Sequence, residues 1–290
     1  MFDRITDIFV EIDDFCKGFQ EQWQKYLLSK SSSKPPGPEQ KLSDSEIITI
    51  MILYHRSNFK HFKKFYQGVL MILLAQYFPE LPSYGRFIEL MPRILIPLTY
   101  YLNSKLGQKS GIYYVDSTAL PVCHNLRISR HKVFSGLAAR GKTSTGWFFG
   151  LKLHLVFNHL NEIVAVKLTP GNNSDISALP TLTKNLTGKL FADKGYLGKQ
   201  MAQDLLKRGL TLLTKVRKNM ASLPINMVDK ALLNARNISE TIIGHIKEFS
   251  SLNLSKSRSP INAFVHILAA LTSYQINPLS PKFKLTSLNP

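Results

Sequence analysis

Apolar residues recur at helical spacing from the start of the chain: Ile5, Phe9, Ile12, Phe15 and Phe19 share a stripe and predict a helix over residues 2–28. Residues 31–38 bring serines, Pro35, Pro36, Gly37 and Pro38, which stop that helix and read as a linker. Ser43, followed three residues later by Glu46, is a capping box at the head of the apolar run 47–54, so a second helix starts there. That run passes into His55, Arg56, Lys60, His61, Lys63 and Lys64, interleaved with Phe59, Phe62, Phe65 and Tyr66 and free of acids, and a third helical pattern covers 83–91. A helical region with one basic, aromatic face suits a DNA-reading module such as a helix-turn-helix variant. It equally suits a module whose aromatics are core and whose lysines are merely solvated.

From Gly111 the period shortens. Ile112, Tyr113, Tyr114 and Val115 run into Asp116 as a strand, and residues 147–157 alternate around Phe149, Leu151, Leu153 and Leu155 as a second. A turn at Asn158 to Asn161 leads to a third strand over 163–168, ended by Pro170 and Gly171, and the three can form a meander. Residues 175–186 read as a helix, 189–192 as a short buried strand ending at Asp193, 199–208 as a helix and 210–216 as a fifth strand. A last helix over 226–249 places Ile238, Ile242, Ile246 and Phe249 on one face. The order β-β-β-α-β-α-β-α describes an α/β domain, a mixed sheet with flanking helices, and is the element order of the ribonuclease H-like fold. The division that follows is a helical N-terminal region over 1–108, a sheet domain over 109–255, and a closing helix and tail over 256–290. In that tail Phe264, Ile267, Leu268 and Leu271 mark an apolar helix expected to pack on the sheet domain.

Charge narrows the choice of partner. Thirty-seven Lys and Arg against nineteen Asp and Glu leave +18 over 290 residues, a self-repulsion that a polyanion would relieve. Nucleic acid is the leading partner, an anionic membrane surface the second, and an ordinary basic protein with solvated lysines the plain alternative. Hydrophobic residues make up 44% of the chain, ample for a buried core. Cys16 and Cys123 alone supply neither a disulfide framework nor a thiolate zinc site, which fits a reducing cytosol. The start of the chain carries Asp3, Asp13 and Asp14 where a signal peptide would be basic and apolar, and runs such as 69–75 are far too short to span a membrane.

Two aspartates stand in matching places, each directly after a short apolar strand: Asp116 after Tyr113-Tyr114-Val115, and Asp193 after Leu190-Phe191-Ala192. If the strands are neighbours, both carboxylates project from one sheet edge. Each alone reads as a turn former or helix cap. Together, in a basic chain, they suit Mg²⁺, a hard ion usually held by one or two carboxylates with phosphate and water. Two such ions can activate the attacking oxygen and neutralise the leaving one at phosphorus. Glu240 is the favoured third acid, because Arg236, Glu240 and Lys247 fall on one stripe of the last helix. A solvated ion-pair stripe is the alternative, although Arg before Glu at this spacing is the poorer orientation for a helix. Glu248, Asp175 and Asp229 remain rival acids.

These motifs resemble the DDE transposases of bacterial insertion sequences. The residues concerned are Tyr114-Val115-Asp116-Ser117-Thr118, the stretch 146–154 with Trp147, Lys152 and His154, then Ala192-Asp193-Lys194-Gly195-Tyr196, and finally 236–247. With the Leu42-Ser43-Asp44-Ser45-Glu46 opening, the chain is most similar to the insertion-sequence family numbered 982. The resemblance implies that Asp116, Asp193 and Glu240 bind two metal ions, Mg²⁺ with Mn²⁺ as a substitute, and that Lys247 meets DNA phosphate beside Arg236. Leu233 stands where the broader signature has Tyr. It further implies recognition of terminal inverted repeats in double-stranded DNA, nicking to free a 3′-hydroxyl, strand transfer, a homo-oligomer when ends are synapsed, and a place at the bacterial nucleoid.

Between Ser117 and Asn161 there is no acid, while Arg127, Arg130, Lys132, Arg140, Lys142 and Lys152 occur with His124 and His131. This insertion is expected to hold the DNA backbone beside the metal site, the alternative being a flexible basic loop. Lys194 and Tyr196 could meet phosphate or cap the next helix, and Lys215, Arg217 and Lys218 are further candidate contacts. A lone His154 is more often a hydrogen-bonded structural residue than a ligand. Three functions remain distinguishable only by products: an active transposase, a nuclease on the same fold, and a DNA-binding relic or regulator.

Overall fold

The computed structural model describes residues 4–28, 41–144, 146–215, 226–248, 252 and 254–277. The chain divides into two compact units: one up to Lys105 together with Ile246–Leu252 and Arg258–Ile276, the other Leu106–His245 with Asn253–Ser257. The linker 31–38, together with Val216, Arg217, Lys218 and Phe249, lies outside the described residues.

In the first unit the helices are α1 (Ile5–Leu28), α2 (Asp44–Arg56), α3 (Phe62–Phe65), α4 (Tyr84–Leu90) and α5 (Leu95–Ser104). The capping box at α2 is formed: the Glu46 amide donates to Ser43 Oγ at 3.1 Å and the Ser43 amide to Glu46 Oε2 at 2.7 Å. Almost every residue of α2 is buried, so it is the central helix of this unit, with α1 against it through Ile5, Ile8 and Ile12. In the basic, aromatic stretch Phe62, Phe65 and Tyr66 belong to this core while Lys60, Lys63 and Lys64 are exposed. The aromatics there serve packing.

The closing helix, which we number after those of the sheet unit as α10 (Pro260–Gln275), belongs to the first unit. Its Val265 and Ala269 join the core of α1, α2 and α5, and Asn262 Nδ2 donates to the Ile88 carbonyl at 3.1 Å. The alanines of α10 let its backbone come close to the central helix, which the apolar period alone does not foretell.

The second unit is a mixed sheet. Its elements are β1 (Ile112–Cys123), β2 (Ala139–Thr143), β3 (Gly146–Asn158), β4 (Ile163–Pro170), α6 (Asp175–Leu182), β5 (Gly188–Ala192), α7 (Lys199–Lys207), β6 (Leu210–Thr214), α8 (Met227–Ala235) and α9 (Asn237–Glu248). Strand β3 lies antiparallel to β1 along one edge and to β4 along the other, with β2 continuing that outer edge. On its other side β1 runs parallel to β5, and β5 parallel to β6. Strand β1 continues well past Asp116 to Cys123, and Pro121 falls where its register with β3 shifts, a place where a missing amide is tolerated. Strand β2, within the basic insertion, has no apolar alternation in Ala139-Arg140-Gly141-Lys142-Thr143 and is a strand only through its ladder to β3.

Side-chain alternation gives the sheet two faces. Tyr113, Val115, Leu190 and Ala192 pack with α6 and α7 through Leu179, Leu182 and Leu205. Tyr114 and Phe191 pack with α8 through Leu232 and Leu233. Gly188 opens β5 with φ +108°, and a Cβ there would stand 2.2 Å from the Gly111 carbonyl oxygen. Gly188→Ala is expected to cost more than about 1 kcal/mol and lower Tm by a few degrees in a melting curve; an unchanged Tm would contradict this placement.

Candidate active site

The ladder between β1 and β5 pairs Tyr114 with Phe191. Two residues further on lie Asp116 and Asp193, and both follow Tyr114 and Phe191 in alternation onto the face covered by α8. Asp116 therefore sits within a strand, not at its end as the sequence suggested, while Asp193 leaves β5 and precedes a 3₁₀ turn, Lys194–Tyr196.

The last helix is not continuous. It breaks at Arg236, between α8 and α9, and the Ser239 amide reaches back to the Arg236 carbonyl at 2.9 Å in a tighter turn. The break turns two side chains inward. Arg236, 7% exposed, places its guanidinium 2.9 Å from Glu240 Oε1, 3.5 Å from Asp116 Oδ2 and 3.8 Å from Asp193 Oδ1. Ser239, fully buried, donates to Asp116 Oδ2 at 3.0 Å. The three acids thus gather around one cation although they are far apart in the chain. No motif in the sequence marks Ser239; its one signal there is the i+3 spacing from Arg236 beside Glu240.

Asp116 is the most confined of the three, 17% exposed against 53% for Asp193 and 62% for Glu240. Burial pushes its carboxyl above the usual carboxylate range, and the Ser117 amide, the Arg236 guanidinium and the Ser239 hydroxyl draw it part of the way back.

Residues 106–260, over half of the chain, match the family described as Transposase DDE domain. The chain belongs to that family. It is accordingly a DDE-type polynucleotidyl transferase, and the family implies use of a divalent metal. A search of curated protein sequences found no match. Among solved structures, a piggyBac transposase, determined by cryo-EM in a synaptic complex with hairpin DNA, is similar at 10% identity with a TM-score of 0.49, over 88% of this chain and 70% of that one.

Around the acids of this DDE domain the remaining site residues divide. Lys194, Arg127, Arg130, Lys132, Arg140 and Lys142 are exposed, and Lys142 Nζ lies 5.6 Å from the centroid of the Trp147 ring. Lys247 lies two turns along α9 from Glu240 and is half-buried. Lys152, expected among the DNA contacts, turns inward instead: it is 9% exposed and donates to the Asn173 carbonyl at 3.0 Å, since β3 is covered on that face. Of the rival acids, Asp229 is paired with Lys189 at 2.7 Å, and Asp175 lies against Ser117 on the other face of β1. Glu248 is exposed at the end of α9. No helix among the described residues is long and apolar enough to cross a membrane.

His154 is fully buried, its Nε2 within 2.9 Å of Thr169 Oγ1, in keeping with a structural histidine. Burial lowers its pKa to about 4, and that of His266 in α10 likewise to about 4. The unfolded chain therefore binds protons at both residues between roughly pH 6.5 and 4 while the fold does not, so stability falls as the pH drops through that window. A loss of roughly 3 kcal/mol per histidine is expected in denaturant unfolding at pH 4 relative to pH 7. Constant stability over that range would show that the histidines protonate freely.

Proposed function

We propose that the chain is the transposase of a bacterial insertion sequence, similar to the family numbered 982. On this reading it binds the terminal inverted repeats of its element and catalyses metal-dependent DNA cleavage and strand transfer, on a ribonuclease H-like sheet, at the nucleoid. The observation that carries the reading is the gathering of Asp116, Asp193 and Glu240 around Arg236 on one sheet face. The element order of the second unit supports the fold assignment.

The donor set fits a hard divalent ion. Asp116, Asp193 and Glu240 offer oxygen only, and Asp116 is a desolvated carboxylate beside a cation. Among the described residues no three His, Cys, Asp or Glu side chains stand close enough together to hold an ion. Mg²⁺ or Mn²⁺ held by these three acids, two ions in all, would supply charge neutralisation and an activated oxygen for in-line displacement at phosphorus. The chain's own residues do the rest. Ser239 and the Ser117 amide orient Asp116, and Arg236 holds the three carboxylates on one face until substrate arrives.

The exposed Arg127, Arg130, Lys132, Arg140 and Lys142, with Lys194 and Lys247, are proposed to grip DNA phosphates, and two copies to synapse the element ends. Arg140→Ala should weaken binding equally on all DNA sequences and lower the slope of log affinity against log salt by about one. A sequence-dependent loss would instead mark Arg140 as a base contact.

The test is a cleavage and joining assay on labelled DNA carrying the element ends, with Mg²⁺ or EDTA. Metal-dependent nicks with joined products support the transposase. Nicks without joining would overturn strand transfer in favour of a nuclease, and binding with no metal-dependent product would leave a DNA-binding relic.

A further inference from the structure

The recorded ladder between β1 and β5 ends at Tyr114 and Phe191, so no strand pairing holds Asp116 against Asp193 two residues beyond. The reverse face of the sheet offers a substitute. Ser117, the residue after Asp116, points to that face; its amide donates to Asp116 Oδ1 at 2.8 Å while its hydroxyl donates to Asp175 Oδ1 at 2.6 Å. Asp175, first residue of α6, is held in turn by Lys152, whose Nζ stands 3.2 Å away and is itself tethered to the Asn173 carbonyl. The other carboxylate oxygen of Asp175 faces Gly195, where a Cβ would come within 3.7 Å of it. Gly195 belongs to the turn that immediately follows Asp193. One side chain therefore bonds the residue after Asp116 and lies beside the second residue after Asp193.

We propose that Asp175, through Ser117 and the Gly195 turn, is the positioning residue that sets the separation of Asp116 and Asp193. This rests on the reading of those aspartates as the metal-holding pair. Mg²⁺ tolerates little departure from octahedral geometry, and displacement of a reacting group by about 1 Å can cost roughly 100-fold in rate. Loss of the Ser117–Asp175 bond would let the two strand ends drift apart without removing any metal ligand.

The experiment compares wild type, Asp175→Ala, Ser117→Ala and Ser117→Thr in single-turnover cleavage with Mg²⁺ and with Mn²⁺. Alongside it run DNA affinity, Tm without metal, and the rise in Tm on adding each ion. Ser117→Ala and Asp175→Ala are expected to lose about 10- to 100-fold in Mg²⁺ rate and to show a smaller Mg²⁺-induced rise in Tm. Their DNA affinity should be unchanged, and Mn²⁺ should restore much of the rate. Ser117→Thr, which keeps the hydroxyl, should resemble wild type. Equal losses in both metals with a lowered metal-free Tm would assign Asp175 to folding alone, and wild-type rates in both variants would remove the positioning role; either result overturns the proposal. A wild type that neither cleaves nor gains Tm from metal would overturn the transposase reading itself, which separates the two failures.

Discussion

Asp116→Asn, Asp193→Asn and Glu240→Gln are each expected to abolish cleavage and joining while leaving DNA binding nearly intact. Each change keeps the shape of the side chain and removes one anionic oxygen donor from the face where the three acids meet Arg236. Metal-assisted neutralisation at phosphorus is worth several kcal/mol, so the rate should fall by roughly three orders of magnitude or more. The basic residues proposed to grip DNA are untouched, so affinity measured by anisotropy should stay within about twofold. Asp116 offers a second readout. Its carboxyl is raised above the ordinary range, so the fold disfavours the ionised form, a cost that is present once the pH exceeds the unfolded value. Asp116→Asn should then melt at or above the wild-type Tm at pH 7 without metal, an inactive variant of undiminished stability. Retained cleavage in any of the three would remove that residue from the metal site.

Arg236→Ala is expected to give the largest loss of stability. The guanidinium is almost fully enclosed and is the cation shared by all three carboxylates; without it Asp116 keeps a buried charge whose remaining hydrogen bonds come from Ser117 and Ser239. Removing one partner of a buried ion pair costs about 3–5 kcal/mol, and the exposure of Asp193 and Glu240 places this case near the lower end, about 3 kcal/mol. Tm should fall by roughly 6–12 °C. Arg236→Lys should recover only part of this, since an ammonium cannot reproduce the planar fork that reaches three acceptors. Divalent metal should raise the Tm of Arg236→Ala more than that of wild type, because it supplies the missing positive charge. A Tm within a degree of wild type would show that the acids do not depend on Arg236.

Several features are written locally and were legible as such. The capping box needs only Ser43 and Glu46 three residues apart, and the first helix needs only its stripe. The apolar runs before Asp116 and Asp193 mark strands because branched and aromatic residues fill a pleated, buried surface. The spacing of Arg236 and Glu240 is that of neighbours across one helical turn, and the pair is formed even though the helix breaks at Arg236. Other features depend on partners remote in the chain. The polar strand β2 exists because β3 offers it an edge, and β1 continues through Pro121 because the register slips there. Lys152 reads as a DNA contact but is buried, since β4, α6 and the turn between them cover that part of β3 and supply Asn173 and Asp175 as its partners, while His154 is the hydrogen-bonded structural residue that its isolation suggests, held by Thr169.

The α/β class and the places of the two aspartates at apolar strands follow from periods local to each element, and the basic insertion follows from composition alone. That β1 and β5 are neighbours, that the last helix breaks at Arg236, that Ser239 bonds Asp116 and that the closing helix joins the helical unit could be seen only in the folded chain. Those outcomes rest on contacts between segments tens to hundreds of residues apart, chosen by shape and by the need of buried polar groups for partners, and no local period encodes them.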